Sequence, residues 1–537
     1  VNAVELLEEM SRLMALKGEN PFKIRAFEKA VDVVAGRDDL EARAKAGTLT
    51  ELSGIGKGIS EVLTDFFLHG KSRALEEMKS SLPPGLLELT EIPGLGPKKA
   101  MVLIEELGIQ SVGELEYACR ENRLLKMKGF GEKTQNKIME GIQFRKTNQG
   151  FQRLDEAFPV AEKLTAVLTG VSGGARISES GALRRRLEVL DRLEFLVEDT
   201  ASSEKISAAV EDFKKSHSAV LPIEVRYSDA KHFGYELAKS TGTKEHWAAL
   251  GSPEKFAAAD EEKFFGHLKL DWIAPEFRET GEEVRLAKTG ALNDVLPWTG
   301  VQGVFHNHTT RSDGTASLEE MVIEAKAQGY RYIGISDHSQ TAFYASGLTA
   351  DALKDQEKEI RTVQEKHPEI RIFWGIESDI LADGSLDYPD SVLKKFDFVI
   401  ASVHSRFGMD REAMTDRLLE AIRNPYTRFL GHATGRILLG RKAYDIDMPK
   451  IIAEAARHDV AIELNANPAR LDIDWRWGAE LRRMKTKISI NPDAHATDEL
   501  ENTRFGIAMA RKALIPSVQV INSLPTDKVE QWLKRQN

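Results

Sequence analysis

Two rhythms of apolar residues divide this chain. Near the start they recur at helical spacing: Val4, Leu6, Leu7, Met10, Leu13, Met14 and Leu16 fall on one stripe. Glu19-Asn-Pro21-Phe-Lys-Ile-Arg-Ala-Phe27 then restarts a helix with Pro21 in its first turn. From Val301 to His495 the apolar residues instead come in short, nearly unbroken runs, as strands covered on both faces do. Helical patterns such as Ser317–Gly329 fill the gaps. Strand and helix in alternation predict parallel strands with crossovers, closed into an α/β barrel.

Most of these runs end in a side chain that can ligate metal. Val301–His308 ends in His306 and His308, Tyr330–His338 in Asp337 and His338, and Arg371–Glu377 in Glu377. Phe396–His404 ends in His404, Phe429–His432 in His432, Val460–Asn465 in Asn465, and Lys487–His495 in Asp493 and His495. The C-terminal strand ends of such a barrel carry the site. Converging histidines and carboxylates suit Zn, Mn or Fe. Two or three metals are expected, because the set exceeds what one ion needs. Clustered metals activate water and clamp phosphate oxygens during in-line displacement. No Ser or Cys nucleophile with a base partner is evident, so water is the expected nucleophile. Arg436 and Arg470 follow strand ends and could fork onto a substrate phosphate. A salt bridge within the barrel rim is an equal reading of both.

The same residues carry a resemblance. His306-Asn-His308-Thr-Thr-Arg-Ser-Asp313-Gly, Ser336-Asp-His338-Ser, Gly375-Ile-Glu377, Ser402-Val-His404-Ser, Gly431-His432 and Asp493-Ala-His495 resemble the successive motifs of the PHP (polymerase and histidinol phosphatase) domain. The resemblance implies a distorted (β/α)7 barrel with a trinuclear centre. It implies nine ligands: His306, His308, Asp313, His338, Glu377, His404, His432, Asp493 and His495. It puts His306, His308, Glu377 and Asp493 on one metal. Glu377 would bridge to a second, held by His404 and His432, and Asp313, His338 and His495 would hold the third. Glu377, His404 and Asp493 are the residues expected to matter most for catalysis.

The N-terminal part contains an internal repeat. Leu52-Ser-Gly54-Ile-Gly56-Lys57, Ile92-Pro-Gly94-Leu-Gly96-Pro-Lys98-Lys99 and Met127-Lys-Gly129-Phe-Gly131-Glu-Lys133 share one apolar-x-Gly-apolar-Gly turn. Glycine lets a partner approach the backbone, and the helix that follows offers free N–H groups to a phosphate. These turns resemble helix-hairpin-helix motifs, which grip DNA through its backbone. The predicted DNA contacts are Gly54, Gly56, Lys57, Gly94, Gly96, Lys98, Lys99, Gly129, Gly131 and Lys133. Residues 1–147 as a whole, with Asn20-Pro-Phe-Lys-Ile-Arg-Ala-Phe27, resemble family X (polymerase beta-like) DNA polymerases.

Residues 148–298 continue that resemblance with departures. Gly181-Ala-Leu-Arg184-Arg185 through Asp191-Arg192-Leu193-Glu194-Phe-Leu-Val197 aligns with a nucleotidyltransferase palm strand. Ala182 stands where the family has serine. Arg192 and Glu194 stand where it has two aspartates, and Glu224 is the third carboxylate position. Two-metal nucleotidyl transfer needs short carboxylates around two Mg ions. Arginine cannot ligate a metal, so Mg in the palm is disfavoured and nucleotide binding is left open.

The expected organisation is multidomain. An all-α helix-hairpin-helix region comprises residues 1–80 and a fingers-like 81–147. An α+β nucleotidyltransferase-like palm and thumb occupies 148–298, and the PHP barrel 299–537. Composition changes this picture little. The 537 residues are 42% hydrophobic and 29% charged, ordinary for globular domains. No apolar run approaches the roughly 20 residues of a membrane span. The single cysteine, Cys119, excludes an internal disulfide and fits a reducing cytoplasm. A net charge of −10 argues against polyanion binding by the whole surface but leaves room for a local basic face. A monomeric DNA repair enzyme is the leading expectation: a phosphodiesterase processing DNA ends, with a palm that is inactive or weak. An active gap-filling polymerase with proofreading and a small-molecule phosphatase of the histidinol-phosphatase type are the alternatives.

Overall fold

The computed structural model describes residues 2–35, 37, 39–83, 85–120, 123–148, 150–199, 203–216 and 221–534. It divides into two compact units, Val1–Gln149 and Gly150–Asn537. Among the described residues no helix is long and apolar enough to cross a membrane.

The first unit is all helical: α1 (Ala3–Lys17), α2 (Pro21–Val34), α3 (Leu40–Ala46), α4 (Lys57–His69), α5 (Arg73–Ser80), α6 (Leu86–Thr90), α7 (Pro97–Leu107), α8 (Val112–Arg120) and α9 (Glu132–Asn148). Local chemistry sets these limits. Asn2 and Glu5 form a capping box on α1, and Gly18 ends it in a left-handed turn. Asn20 caps α2, with Pro21 at its first position. The apolar stripes bury into two cores. Leu7, Leu13, Met14, Phe27 and Leu63 centre the first, and Leu89, Leu103, Leu115, Cys119 and Phe130 the second.

The second unit begins with small sheets. Strand β1 (Gln152–Arg153) pairs antiparallel with β3 (Val189–Leu190). Strand β4 (Leu193–Glu198) lies between β2 (Ile177–Glu179), antiparallel, and β5 (Ile223–Ser228), parallel. Seven parallel strands follow, each paired with the next in sequence: β6 (Gly303–Val304), β7 (Tyr332–Ile335), β8 (Arg371–Asp379), β9 (Phe398–Ser402), β10 (Thr427–Leu430), β11 (Ala461–Asn465) and β12 (Ile488–Asn491). The ring closes irregularly. A parallel bridge joins Asn307 to Ala494, and Phe305 N–H donates to the Asn491 Oδ1 at 3.0 Å. A side chain thus does the work of a strand neighbour, which is why β6 is shorter than the apolar run from Val301 suggests.

An aromatic cluster of Phe305, Tyr332, Phe373, Phe398 and Phe429 packs with Trp532 of the last helix, Thr526–Leu533. Gly334 and Gly375 make room for it: a Cβ at either would lie 2.8 or 2.3 Å from the Phe398 ring. The sheets around β4 and the barrel also share one core, from Leu154, Leu183 and Phe195 to Leu296, Trp475 and Met509. Buried polar groups sew the same seam. Lys512 reaches Glu279 and the Arg185 carbonyl, Arg511 pairs with Glu276, and Glu188 accepts from Trp475 and Arg476.

Candidate metal centre

Nine side chains named from the sequence lie together at the C-terminal end of the barrel. His306 and His308 follow β6, His338 follows β7, and Glu377 lies two residues before the end of β8. His404 follows β9, His432 follows β10, and Asp493 and His495 follow β12. Asp313 comes from the loop after His308. Three groups bring ligand atoms close enough to share an ion: His308, Asp313, His338 and His495; His306, His308 and Asp493; and His338, Glu377 and His404. Glu377 is central, with Oε1 at 3.3 Å from His306 Nε2, 3.2 Å from His404 Nε2 and 3.0 Å from His432 Nε2. His432 and Asp493 hold positive φ values of 24° and 54°, a conformation uncommon outside glycine that Asp and His adopt more readily than most residues.

The residues fit a metal. His306 Nε2, His308 Nδ1 and His432 Nδ1 are buried without a hydrogen-bond partner, a costly state unless something else binds them. The electrostatics point the same way. Burial opposes charge on His338, yet Glu377 and Asp313 push it up to about 10. Glu377 and Asp379 likewise raise His404 to about 9 against burial, and Asp313 and Asp493 raise His495 to about 9. His308, buried beside His495 and His338, drops to about 3. Glu377 and Asp493, though buried, are held well below the usual carboxylate range by surrounding histidines. Such a cluster calls for positive charge, and cations held by deprotonated ligands provide it.

Three further carboxylates organise the ligands. Glu463 Oε1 accepts from His306 Nδ1 at 2.7 Å, and its Oε2 accepts the His432 backbone N–H at 2.8 Å. Asp379 lies 2.6 Å from His404 Nδ1. Each leaves the Nε2 of its histidine facing Glu377, the arrangement that fixes ring orientation around metals. Asp337, at a strand end beside His338, is not turned into the cluster. It accepts from Thr309 N, Thr309 Oγ1, Ser312 Oγ and Gln356, and so holds the loop that carries Asp313. Asn465 donates to Asp493. The two arginines diverge. Arg436 is 11% exposed and spent within the rim, on Asp474 at 2.5 Å and the carbonyls of Arg470 and Leu471. Arg470 Nε remains 3.7 Å from Asp493.

In the palm, Glu194 and Glu224 are cross-strand neighbours on β4 and β5. Arg192 binds Glu224 at 2.5 Å and Asp191 at 3.0 Å, and Arg226 lies 3.3 Å from Glu194. Glu194 also covers Gly181, where an added Cβ would strike its carboxylate. The adjoining Arg184 is turned away, bidentate to buried Glu261, which Arg278 also holds.

In the helical unit the three glycine turns are near copies. Gly54, Gly94 and Gly129 have φ of 95°, 84° and 88°. In each turn one amide closes on the apolar residue three before it: Ile55 on Leu52, Leu95 on Ile92, Phe130 on Met127. Gly56 and Gly96 cap α4 and α7 with no side-chain acceptor. A Cβ at Gly56, Gly96 or Gly131 would meet nothing. Lys57, Lys98, Lys99 and Lys133 are exposed.

A seven-stranded parallel barrel with this polyhistidine–carboxylate cluster defines a PHP-type, metal-dependent phosphoesterase fold. Comparison agrees: the PHP domain family matches residues 305–467. A helix-hairpin-helix domain matches residues 2–72 and a SAM-like helix-hairpin-helix tandem residues 86–143. The chain is 32% identical to the DNA polymerase/3'-5' exonuclease PolX of Bacillus subtilis, over 99% of both chains. A probable phosphatase of Thermoanaerobacter sp. is 28% identical over 43% of this chain and 93% of its own length. One of Caldicellulosiruptor saccharolyticus is 34% identical over 30% of this chain and 64% of its own. The chain belongs to the PolX family of DNA polymerases, family X enzymes with a C-terminal PHP domain.

Proposed function

We propose that this protein hydrolyses DNA phosphodiesters from a 3′ end at the barrel, in DNA repair. The helical unit grips the DNA backbone, and the palm is a scaffold with little or no nucleotidyl transfer. The observation that carries this is the convergence of nine ligand-type side chains with buried, unsatisfied ring nitrogens at the strand ends. The similarity along the whole chain to a protein named as a polymerase and 3'-5' exonuclease supports the substrate.

Two or three Zn, Mn or Fe ions suit the site, and the overlap of three ligand groups favours three. When bound they supply an activated water and neutralise phosphate oxygens. Asp313, His338 and His495 would hold one. His306, His308 and Asp493 would hold a second, and Glu377, His404 and His432 another, with Glu377 shared. Glu463 and Asp379 orient His306 and His404. Arg470, beside Asp493, is placed to bind a phosphate. In the helical unit, repeated open helix N-termini flanked by lysines suit phosphates without regard to sequence.

The palm reading rests on Arg192. It occupies an aspartate position and neutralises Glu224, which leaves the acidic strands little demand for Mg. The deciding assay loads the protein with Mn and offers 5′-labelled primer–template with and without nucleotides. Stepwise shortening from the 3′ end supports the proposal. Template-directed extension without shortening would replace it with the polymerase reading. Turnover of small phosphomonoesters alone would favour a phosphatase.

A further inference from the structure

One exposed aromatic ring is carried by the loop that leaves the ligand residue His338 and has no role in the cluster. The chain leaves β7 through His338, forms a loop, and returns at Leu348, whose N–H bonds the His338 carbonyl at 2.8 Å. Both ends of this finger are therefore anchored at one ligand residue. Its base is rigid: Asp387 accepts from Ser339 Oγ, Thr341 N and Thr341 Oγ1, Tyr388 OH donates to the Leu348 carbonyl, and Gly347 packs where a Cβ would strike the Ser339 carbonyl. Ala342 and Ala345 are buried, but Phe343 between them is 87% exposed. Nothing in the fold accounts for a phenyl ring held into solvent on a fixed support.

The next ligand loop but one is basic. His404 is followed by Ser405, whose carbonyl Arg417 holds at 3.0 Å, and by Arg406. Arg406 is exposed, takes a left-handed φ of 56°, and has no acidic partner among the described residues. Phe407 behind it is packed, stacked on Tyr444 under the Arg441 guanidinium. With Arg470, the loops that follow the ligand-bearing strands thus carry one exposed ring and two cations.

We propose that Phe343 is a stacking platform for a base of an unpaired DNA strand, while Arg406 and Arg470 meet its phosphates and feed the terminal diester to the metals. The proposal rests on the diesterase reading above and deepens it: the barrel takes a single strand. A ring beside backbone-tracking cations is how proteins hold single strands without reading sequence, because every base has a stacking face. A small phosphomonoester would use neither the ring nor Arg406.

The test compares wild type with Phe343→Ala and Phe343→Trp, as full-length, Mn-loaded protein. The readouts are hydrolysis of a single-stranded pentanucleotide, hydrolysis of bis-p-nitrophenyl phosphate, and the Kd of the labelled pentanucleotide by fluorescence anisotropy. For Phe343→Ala we expect KM and Kd of the pentanucleotide to rise roughly tenfold, with kcat and small-diester turnover near wild type, and Phe343→Trp to restore both. An unchanged Kd in Phe343→Ala overturns the platform, as does an equal loss on both substrates, which would mark a structural role. Kd is read with or without hydrolysis. A wild type that cleaves the small diester but not the oligonucleotide would therefore sink the exonuclease reading while the finger is still judged on its own.

Discussion

The barrel and the palm both gather carboxylates from parallel strands, and they resolve the resulting charge in opposite ways. In the barrel, Glu377 faces only histidines, and Asp493 turns Oδ1 to His306 and His308 while its Oδ2 takes Asn465 and lies 3.7 Å from Arg470. In the palm, Glu194 and Glu224 face Arg226 and Arg192. Histidine is a conditional cation that yields its proton to a metal; arginine is a permanent one that cannot be displaced or ligate. An acidic cluster thus keeps oxygens open to an ion where its closest partners are histidines and loses them where arginines bind directly.

The sharpest way to break this contrast is Glu377→Ala. We expect metal content, by elemental analysis, to fall and hydrolysis to drop by more than roughly a hundredfold, beyond the cost of losing an outer partner. Unchanged values would remove the barrel from the comparison. Next comes Glu261, a carboxylate already answered by two arginines. Burial alone would raise its pKa, but Arg278 and Arg184 hold it well below the ordinary carboxylate value. A depressed folded pKa contributes stability that is present above the ordinary value near 4.5 and is lost as pH falls below it. Glu261→Gln should cost about 3–5 kcal/mol at neutral pH and flatten the acid side of the stability curve, both read by denaturant titration.

Glu463→Gln keeps the shape but weakens the hold on His306. Metal affinity should fall by roughly ten- to a hundredfold with the melting temperature nearly unchanged. Smallest is the palm. In a His404→Ala background, where products are not erased, nucleotide incorporation should be negligible, and Arg192→Ala should leave the melting temperature about where it is. Robust extension there, abolished by Glu194→Ala, would show that glutamates suffice and that both clusters recruit ions.

Much of the site could be read from the chain because its ligands terminate apolar runs, where a lone polar side chain stands out. The glycine turns were legible for a similar reason: a fixed spacing repeated. Glu463 and Asp379 were not singled out. Glu463 sits among apolar neighbours and reads as an interruption, and Asp379 trails Glu377 and Ser378 past the apolar run, so neither stands out until the distance to His306 or His404 is known. Asp337 had the opposite fate, standing at a strand end like a ligand yet turned to brace Thr309 and Ser312. Arg436 and Arg470 look alike in sequence, and only the carbonyls and carboxylate around Arg436 distinguish them. The pairing of Arg192 with Glu224 joins residues distant in sequence, so no local pattern could announce it.

The seam between palm and barrel bears on inheritance. The probable phosphatase of Thermoanaerobacter sp. matches 43% of this chain over 93% of its own length, so that relative is a protein of little more than the matched part. In this chain the barrel could not be cut free cleanly. Lys512, fully enclosed, would lose both Glu279 and the Arg185 carbonyl, and Trp475 would lose Glu188. A shared apolar core would be opened to water. Such a fusion works as a ratchet: once two modules have pooled their interior, a fading activity in one cannot be discarded by deleting its gene segment. A palm that did little chemistry of its own would still be kept, because its neighbour leans on it.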